Sequence, residues 1–260
     1  MCTLALYLRQ FDDYPLVVAA NRDEYFSRPS EAPQLLAKDP PIFGGKDLVA
    51  GGTWFGVNAY GMVAGIVNRR MQTSARHDTA RSRGLLCLDL LRAKDVVETE
   101  KLLENEDGSK YPPFLLLIAR AAAAFVAFNS EKEITRVELH AGLHVFSNTS
   151  FTDSSGGKLG HARDLFSKAG ASLRTQLADP KAPLDTAVGI LRGVLSSHDS
   201  ANESQETRDA ICVHTDRAVY GTVSSSIVFY ARREKRFYFY HAAGAPCRSN
   251  YEAAEAPRLS

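Results

Sequence analysis

The spacing of apolar side chains switches from strand period to helical period and back, twice, and that order of blocks restricts the folds open to this chain. Apolar runs at Leu4 to Leu8 and Leu16 to Ala20 read as one hairpin, and Thr53 to Asn58 with Met62 to Asn68 as a second. From Thr79 to Ala93 the leucines recur at helical spacing, and Val96 to Glu104 follows as another helix with Asp95 placed to cap it. Strands return at Phe114 to Ala119, Ala122 to Phe128, Glu133 to Leu139 and Leu143 to Ser147. Helices at Lys158 to Ala169 and Pro183 to Ser197 come next, then strands at Ala210 to His214, Ala218 to Tyr230 and Arg236 to Ala242. This order predicts an α+β chain: a four-layer αββα sandwich of two antiparallel sheets flanked by helix pairs.

Two stretches break the pattern. Ser27 to Lys46 carries Pro29, Pro33, Pro40 and Pro41, which argue against a helix or a central strand and predict an ordered surface loop. Its Gly44-Gly45-Lys46 is no phosphate loop, because the upstream glycine is missing and no Ser or Thr follows the lysine. Residues 252–260 lack an apolar pattern and read as a flexible tail, which leaves residues 1–251 as a single domain. A chain of 260 residues is long enough for a sizeable core.

With 31 basic and 30 acidic residues the chain has no global charge to attract nucleic acid or an anionic membrane surface. No apolar run reaches the length of a transmembrane helix, and the N-terminal one is cut by Arg9 and continues into Asp12 and Asp13, unlike a signal peptide. Four scattered cysteines without a Cys-x-x-Cys pair fit free thiols in a reducing, cytoplasmic setting. The seven histidines show no His-Glu-x-x-His spacing, so no metal site is expected.

The chemistry concentrates at the beginning. Cys2 follows Met1 directly and is small enough for Met1 to be trimmed, which would leave a thiol beside a free α-amine of pKa about 7.7 to 8.0. One residue then supplies nucleophile and general base. Arg22 near the sulfur would favour thiolate, and Asp23 can orient the amine. Singly, Cys2 reads as a small hydrophobe and Asn21 to Glu24 as a polar strand end; jointly, an antiparallel pair would bring them side by side. Asn68 at the end of the second hairpin is either a turn former or an oxyanion donor. Arg69, in a basic loop with Arg70, Arg76 and His77, is either solvated surface or a captor of carboxylate or phosphate. Trp54 is either core or the wall of an apolar ligand site.

The opening Met1-Cys2-Thr3-Leu4, Ala20-Asn21-Arg22-Asp23-Glu24, Gly51-Gly52-Thr53-Trp54-Phe55-Gly56-Val57-Asn58 and Tyr220-Gly221-Thr222 with Ser224-Ser225 together resemble the NRDE family, also called the transport and Golgi organisation family. The resemblance spans nearly the whole chain. It implies a fold similar to the N-terminal-nucleophile hydrolases, a second active-site asparagine at Asn148, and roles for Asn21, Glu24 and Thr222 in holding substrate. Where the family usually has arginine this chain has Val223, which removes a cation that could bind a substrate anion.

Two functions follow as expectations. One is a Cys2-dependent hydrolase of amide or thioester bonds, requiring no cofactor, with Asn68 and Asn148 stabilising the oxyanion. The other, which the resemblance also implies, is a non-catalytic carrier of haem or acyl-CoA in the same cleft. Either way the partner is a small molecule, with no nucleic acid and no integral membrane association.

Overall fold

The structure, a computed structural model, describes residues 3–69, 81–130, 132–148, 157–179, 181–199, 210–215 and 219–259. The chain is an α+β fold of two antiparallel sheets and two helix pairs, divided into two compact units: Met1–Arg28 with Ala141–Glu255, and Pro29–His140 with Ala256–Ser260.

In the first unit, β1 (Thr3–Leu8) and β2 (Leu16–Tyr25) form the opening hairpin. The sheet is completed by β10 (Gly142–Ser147), β11 (Tyr220–Ala231), β12 (Arg236–Ala242) and β13 (Glu252–Ala254), in the order β10-β1-β2-β11-β12-β13. Helices α3 (Gly157–Gln176) and α4 (Leu184–Leu195) cover one face. Their buried residues recur three and four apart: Leu159, Ala162, Phe166, Ala169 and Leu173 on α3, and Leu184, Ala187, Val188 and Leu191 on α4. These meet Ala5, Tyr7, Val17, Ala19, Ile227 and Phe229, the alternate residues of three neighbouring strands. The Tyr7 hydroxyl donates to the Phe166 carbonyl at 2.6 Å, so this buried polar group is satisfied.

In the second unit a seven-stranded sheet runs β3 (Ser30–Lys38), β4 (Pro41–Asp47), β5 (Phe55–Asn58), β6 (Val63–Asn68), β7 (Phe114–Ala119), β8 (Ala124–Ser130) and β9 (Glu133–Glu138), each strand pairing with the next. Helices α1 (Arg83–Leu90) and α2 (Val96–Glu104) pack on it through Leu86, Cys87, Leu90, Val96 and Leu103. Asp95 caps α2 as its position in the sequence predicts, accepting the Glu98 N–H at 2.8 Å.

Three expectations are corrected. The proline-rich stretch forms the β3–β4 hairpin rather than a loop. Its prolines are tolerated because β3 is an edge strand whose register shifts between Glu31 and Gln34, around Pro33, and because Pro41 opens β4. The supposed tail supplies β13, held by backbone pairing of Glu252–Ala254 with β12, which needs no apolar pattern. The stretch at Ala210 to His214 is no strand; it makes a single bridge, His214 to Gly221.

His241, paired with Ser226 across β11 and β12, is buried and lies 3.0 Å through Nδ1 from the Ser226 hydroxyl. Burial pushes its pKa from 6.5 down to about 4. A histidine depressed in this way contributes stability that is complete above 6.5 and is lost as pH falls towards 4. The span corresponds to about 3 kcal/mol. Thermal melts from pH 7 to pH 4 should show a smaller loss of stability for His241→Gln than for the parent; parallel curves would remove His241 from the acid response.

Candidate active site

The register of the first sheet gathers the polar residues at one end. Thr3 faces Asn21 on one side and Ser147 on the other, while β11 sets Thr222 against Asp23, Ser224 against Arg22 and Ser225 against Asn21. A bulge falls between Thr222 and Ser224, so Val223 is the extra, half-buried residue. Thr3, Asn21, Arg22, Asp23, Asn148, Lys158, Thr222 and Ser224 are all buried, a concentration of polar side chains that hydrophobic packing alone would disfavour.

Asp23 is the centre of this cluster. Its Oδ1 accepts the Thr222 hydroxyl at 2.7 Å, and its Oδ2 lies 3.7 Å from the Lys158 ammonium. Burial raises the Asp23 pKa, while Lys158 and the Thr222 hydrogen bond pull it back down. Lys158 is a site residue that sequence reasoning missed. It occupies the position four residues before Ala162 and eight before Phe166, on the apolar stripe of α3. A lysine on such a stripe is the signal that could have found it, since a buried ammonium requires a partner.

Thr222, expected to touch substrate, is instead occupied by the protein: its hydroxyl donates to Asp23 and accepts the Val213 N–H at 2.8 Å. Asn21 is likewise engaged within the protein. Its Nδ2 donates to the carbonyls of Leu195 and Ile211, both at 2.9 Å, and its Oδ1 accepts the Ser225 hydroxyl at 2.7 Å. With donors and acceptor engaged, Asn21 ties β2 to the end of α4 and to the segment around Ile211. Glu24 accepts the Tyr25 N–H and sits 3.9 Å from Arg28, at the partly exposed end of the strand. Arg22 is buried opposite Ser224.

Asn148 behaves differently. It follows Ser147 at the end of β10 and is buried, yet among the described residues neither its Nδ2 nor its Oδ1 has a hydrogen-bond partner. The Thr3 and Ser224 hydroxyls at the same end of the sheet are likewise unpartnered. Such groups carry a desolvation cost of about 1 to 3 kcal/mol each, which binding of a polar ligand would relieve. Cys2, the expected nucleophile, lies outside the described residues, as do Arg70, Arg76 and His77.

The remaining expected residues belong to the second unit. Asn68 ends β6 opposite Phe114 and is half-buried. The Arg69 guanidinium donates through one nitrogen to the Asn129 carbonyl at 3.2 Å and lies 5.0 Å from the centre of the Phe128 ring, both on β8. Trp54 packs against the helix-side core, its ring so close over Gly45 that a Cβ there would come within 2.3 Å. A Cβ at Gly52 would likewise meet the Gly84 backbone at 2.2 Å, where α1 begins. The Gly-Gly-Thr-Trp motif is therefore explained by packing of α1 and of the indole.

Metal-ligating side chains also meet, contrary to the expectation of none: His198, Cys212, His214 and Cys247 converge beside the segment that Asn21 and Thr222 hold. Reading by local spacing missed them because they come from three separate stretches.

A family model described as Transport and Golgi organisation 2 matches residues 1–242. The Transport and Golgi organization protein 2 homolog of Bos taurus is 28% identical over 237 residues, covering 83% of this chain and 82% of its own length. The Homo sapiens homolog is 27% identical with the same coverage. Among solved structures, a mutant of conjugated bile acid hydrolase from Clostridium perfringens superposes with a TM-score of 0.55 at 11% identity, covering 100% of this chain and 98% of that one. The N-acylethanolamine-hydrolyzing acid amidase ortholog of Caenorhabditis elegans gives a TM-score of 0.53 at 10% identity, covering 87% and 92%. At such identities the likeness carries the fold, of the N-terminal-nucleophile hydrolase kind, and nothing finer.

Proposed function

The chain belongs to the Transport and Golgi organisation 2 family, and from that premise and the buried polar cluster we propose a Cys2-dependent hydrolase that cleaves an amide or thioester bond of a small molecule. The observation that carries this reading is Asn148, a buried amide with no hydrogen-bond partner among the described residues, at the strand end that faces Thr3. Cys2 directly precedes Thr3 in the sequence. That two of the similar solved structures are by their names a conjugated bile acid hydrolase and an N-acylethanolamine-hydrolyzing acid amidase supports the same choice.

With Met1 removed, the α-amine of Cys2 takes the thiol proton, and the thiolate attacks the substrate carbonyl carbon. The Asn148 Nδ2–H groups stabilise the oxyanion that forms, and Asp23, contacted by Lys158 and Thr222, holds the α-ammonium. Collapse breaks the C–N or C–S bond, and the leaving amine or thiolate takes the proton from that ammonium. Water, deprotonated by the same amine, then cleaves the acyl-cysteine to release the carboxylic acid and restore the thiol.

Intact-mass measurement on protein exposed to a library of amides and thioesters tests this. The expected result is a chain lacking Met1 that carries an acyl adduct on Cys2, with the adduct naming the substrate class. Active protein that retains Met1, or adducts confined to Cys87, Cys212 or Cys247, would sink the mechanism. Carriage of haem or acyl-CoA by the same residues is the rival, and it predicts stoichiometric binding without turnover.

A further inference from the structure

We propose that His198, Cys212, His214 and Cys247 form a closed four-ligand zinc site that pins the segment supporting Asp23 and Thr222.

The four ligand atoms lie within 4.8 Å of one another. The Cys212 and Cys247 sulfurs are 3.6 Å apart, and His214 Nε2 is 3.5 Å from the first and 3.2 Å from the second. A tetrahedral zinc with bonds of about 2.3 Å to sulfur and about 2.05 Å to nitrogen has edges of roughly 3.8 Å between two sulfurs and roughly 3.6 Å between sulfur and nitrogen. The observed separations match those edges to a few tenths of an ångström before any ion is bound. His198, whose ring lies 5.0 Å from that of His214, supplies the fourth corner. Two thiolates and two imidazoles select zinc over the hard cations magnesium and calcium.

The backbone holds the ligands in place independently of a metal. The Cys212 N–H donates to the Ser197 carbonyl at 2.9 Å, joining two of the three stretches. Arg192 on α4 donates through Nε to the Pro246 carbonyl at 3.0 Å and so fixes the third. Between Cys212 and His214, Val213 exchanges backbone and side-chain hydrogen bonds with Thr222, the residue that holds Asp23. Cys212 is buried whereas His198 is exposed, which leaves an entry path for the ion on the histidine side. Binding replaces the two S–H bonds by S–Zn bonds, and both protons pass to solvent. With all four positions taken by side chains, the ion would brace the fold and would not activate water.

The competing outcome for the same atoms is a Cys212–Cys247 disulfide, which requires the sulfurs to close from 3.6 Å to about 2.05 Å. Tag-free full-length protein, purified under reducing conditions without chelator, should contain about one zinc per chain by elemental mass spectrometry. After chelation, titration with Co2+ should give the strong visible bands of a tetrahedral ion and a near-ultraviolet thiolate charge-transfer band; a Cys2→Ala background removes the N-terminal thiol as a competing ligand.

Cys247→Ser should weaken Zn2+ binding by more than the roughly 100-fold typical of lost supporting contacts and roughly halve the charge-transfer intensity. His198→Ala should weaken binding while keeping that intensity. Because Cys212 is buried and its replacement can prevent folding, the test rests on these two less buried positions, each checked by a thermal melt. An octahedral cobalt spectrum, parental zinc affinity in Cys247→Ser, or reduced protein that takes up no zinc and reoxidises to the disulfide would each overturn the proposal. None of these readouts depends on hydrolase activity, so the site stands or falls apart from the Cys2 mechanism.

Discussion

Cys2→Ala is expected to reduce turnover of an amide or thioester substrate by about 10⁴- to 10⁶-fold while leaving its dissociation constant within a factor of about three. The sulfur forms its bond only on the way to the transition state, so its removal raises the barrier without removing the contacts that hold the ground state. Single-turnover kinetics beside equilibrium binding separates the two effects. Cys2→Ser makes the result sharper, because it keeps the size of the side chain and the α-amine but substitutes a hydroxyl that ionises far less readily than a thiol. Unchanged hydrolysis in both variants would remove Cys2 from the chemistry. Tight stoichiometric binding of haem or an acyl-CoA by the parent, with no turnover to lose, would instead establish the carrier.

Lys158→Met should destabilise the protein by about 3 to 5 kcal/mol near neutral pH, the cost of taking the lysine cation away from a buried carboxylate. Asp23 is fully enclosed, and Lys158 is the ammonium 3.7 Å from its Oδ2. The sign of the pH dependence follows from the direction of the shift. Burial already raises the Asp23 pKa, and loss of Lys158 raises it further, so the unfavourable ionised state disappears as pH falls and Asp23 takes up a proton. The gap between variant and parent should therefore narrow steadily on acidification. The double variant Asp23→Leu with Lys158→Met should recover much of the loss, since no unpaired charge remains. A deficit independent of pH, and undiminished in the double variant, would show that Lys158 contributes through packing of its methylenes alone. The same pair bears on catalysis: with Lys158 absent, a protonated Asp23 can no longer hold the Cys2 ammonium, and the pH–rate profile should shift with the stability profile.

Much of the fold was legible because the signals that carry it are local. The strand period across Thr3 to Leu8 and Leu16 to Ala20, the turn between them and the Asp95 cap each depend on residues a few positions apart, and the structure places them as expected. The hairpin also brought Asn21 to Asp23 to the end of the sheet where Thr3 begins. Local reading failed where partners decide the outcome. A proline strand became acceptable only because it lies on an edge with a shifted register, and Glu252–Ala254 became a strand only because β12 had an unpaired side to offer. The family resemblance pointed to Asn21 and Thr222, and residue type to Trp54, as able to bind a ligand, but the hydrogen bonds of the first two and the packing of the third engage them within the protein. Conversely, the His198, Cys212, His214 and Cys247 cluster carries no short-range motif, and Lys158 shows only as a lysine on an apolar stripe. Their chemistry exists because strand register and the turns after α4 and β12 bring together groups that are remote in the chain. Sequence by itself therefore determined most of the element order and the polar strand end; tertiary structure alone decided which of those polar groups the protein itself already engages, because that depends on which partners the fold has supplied.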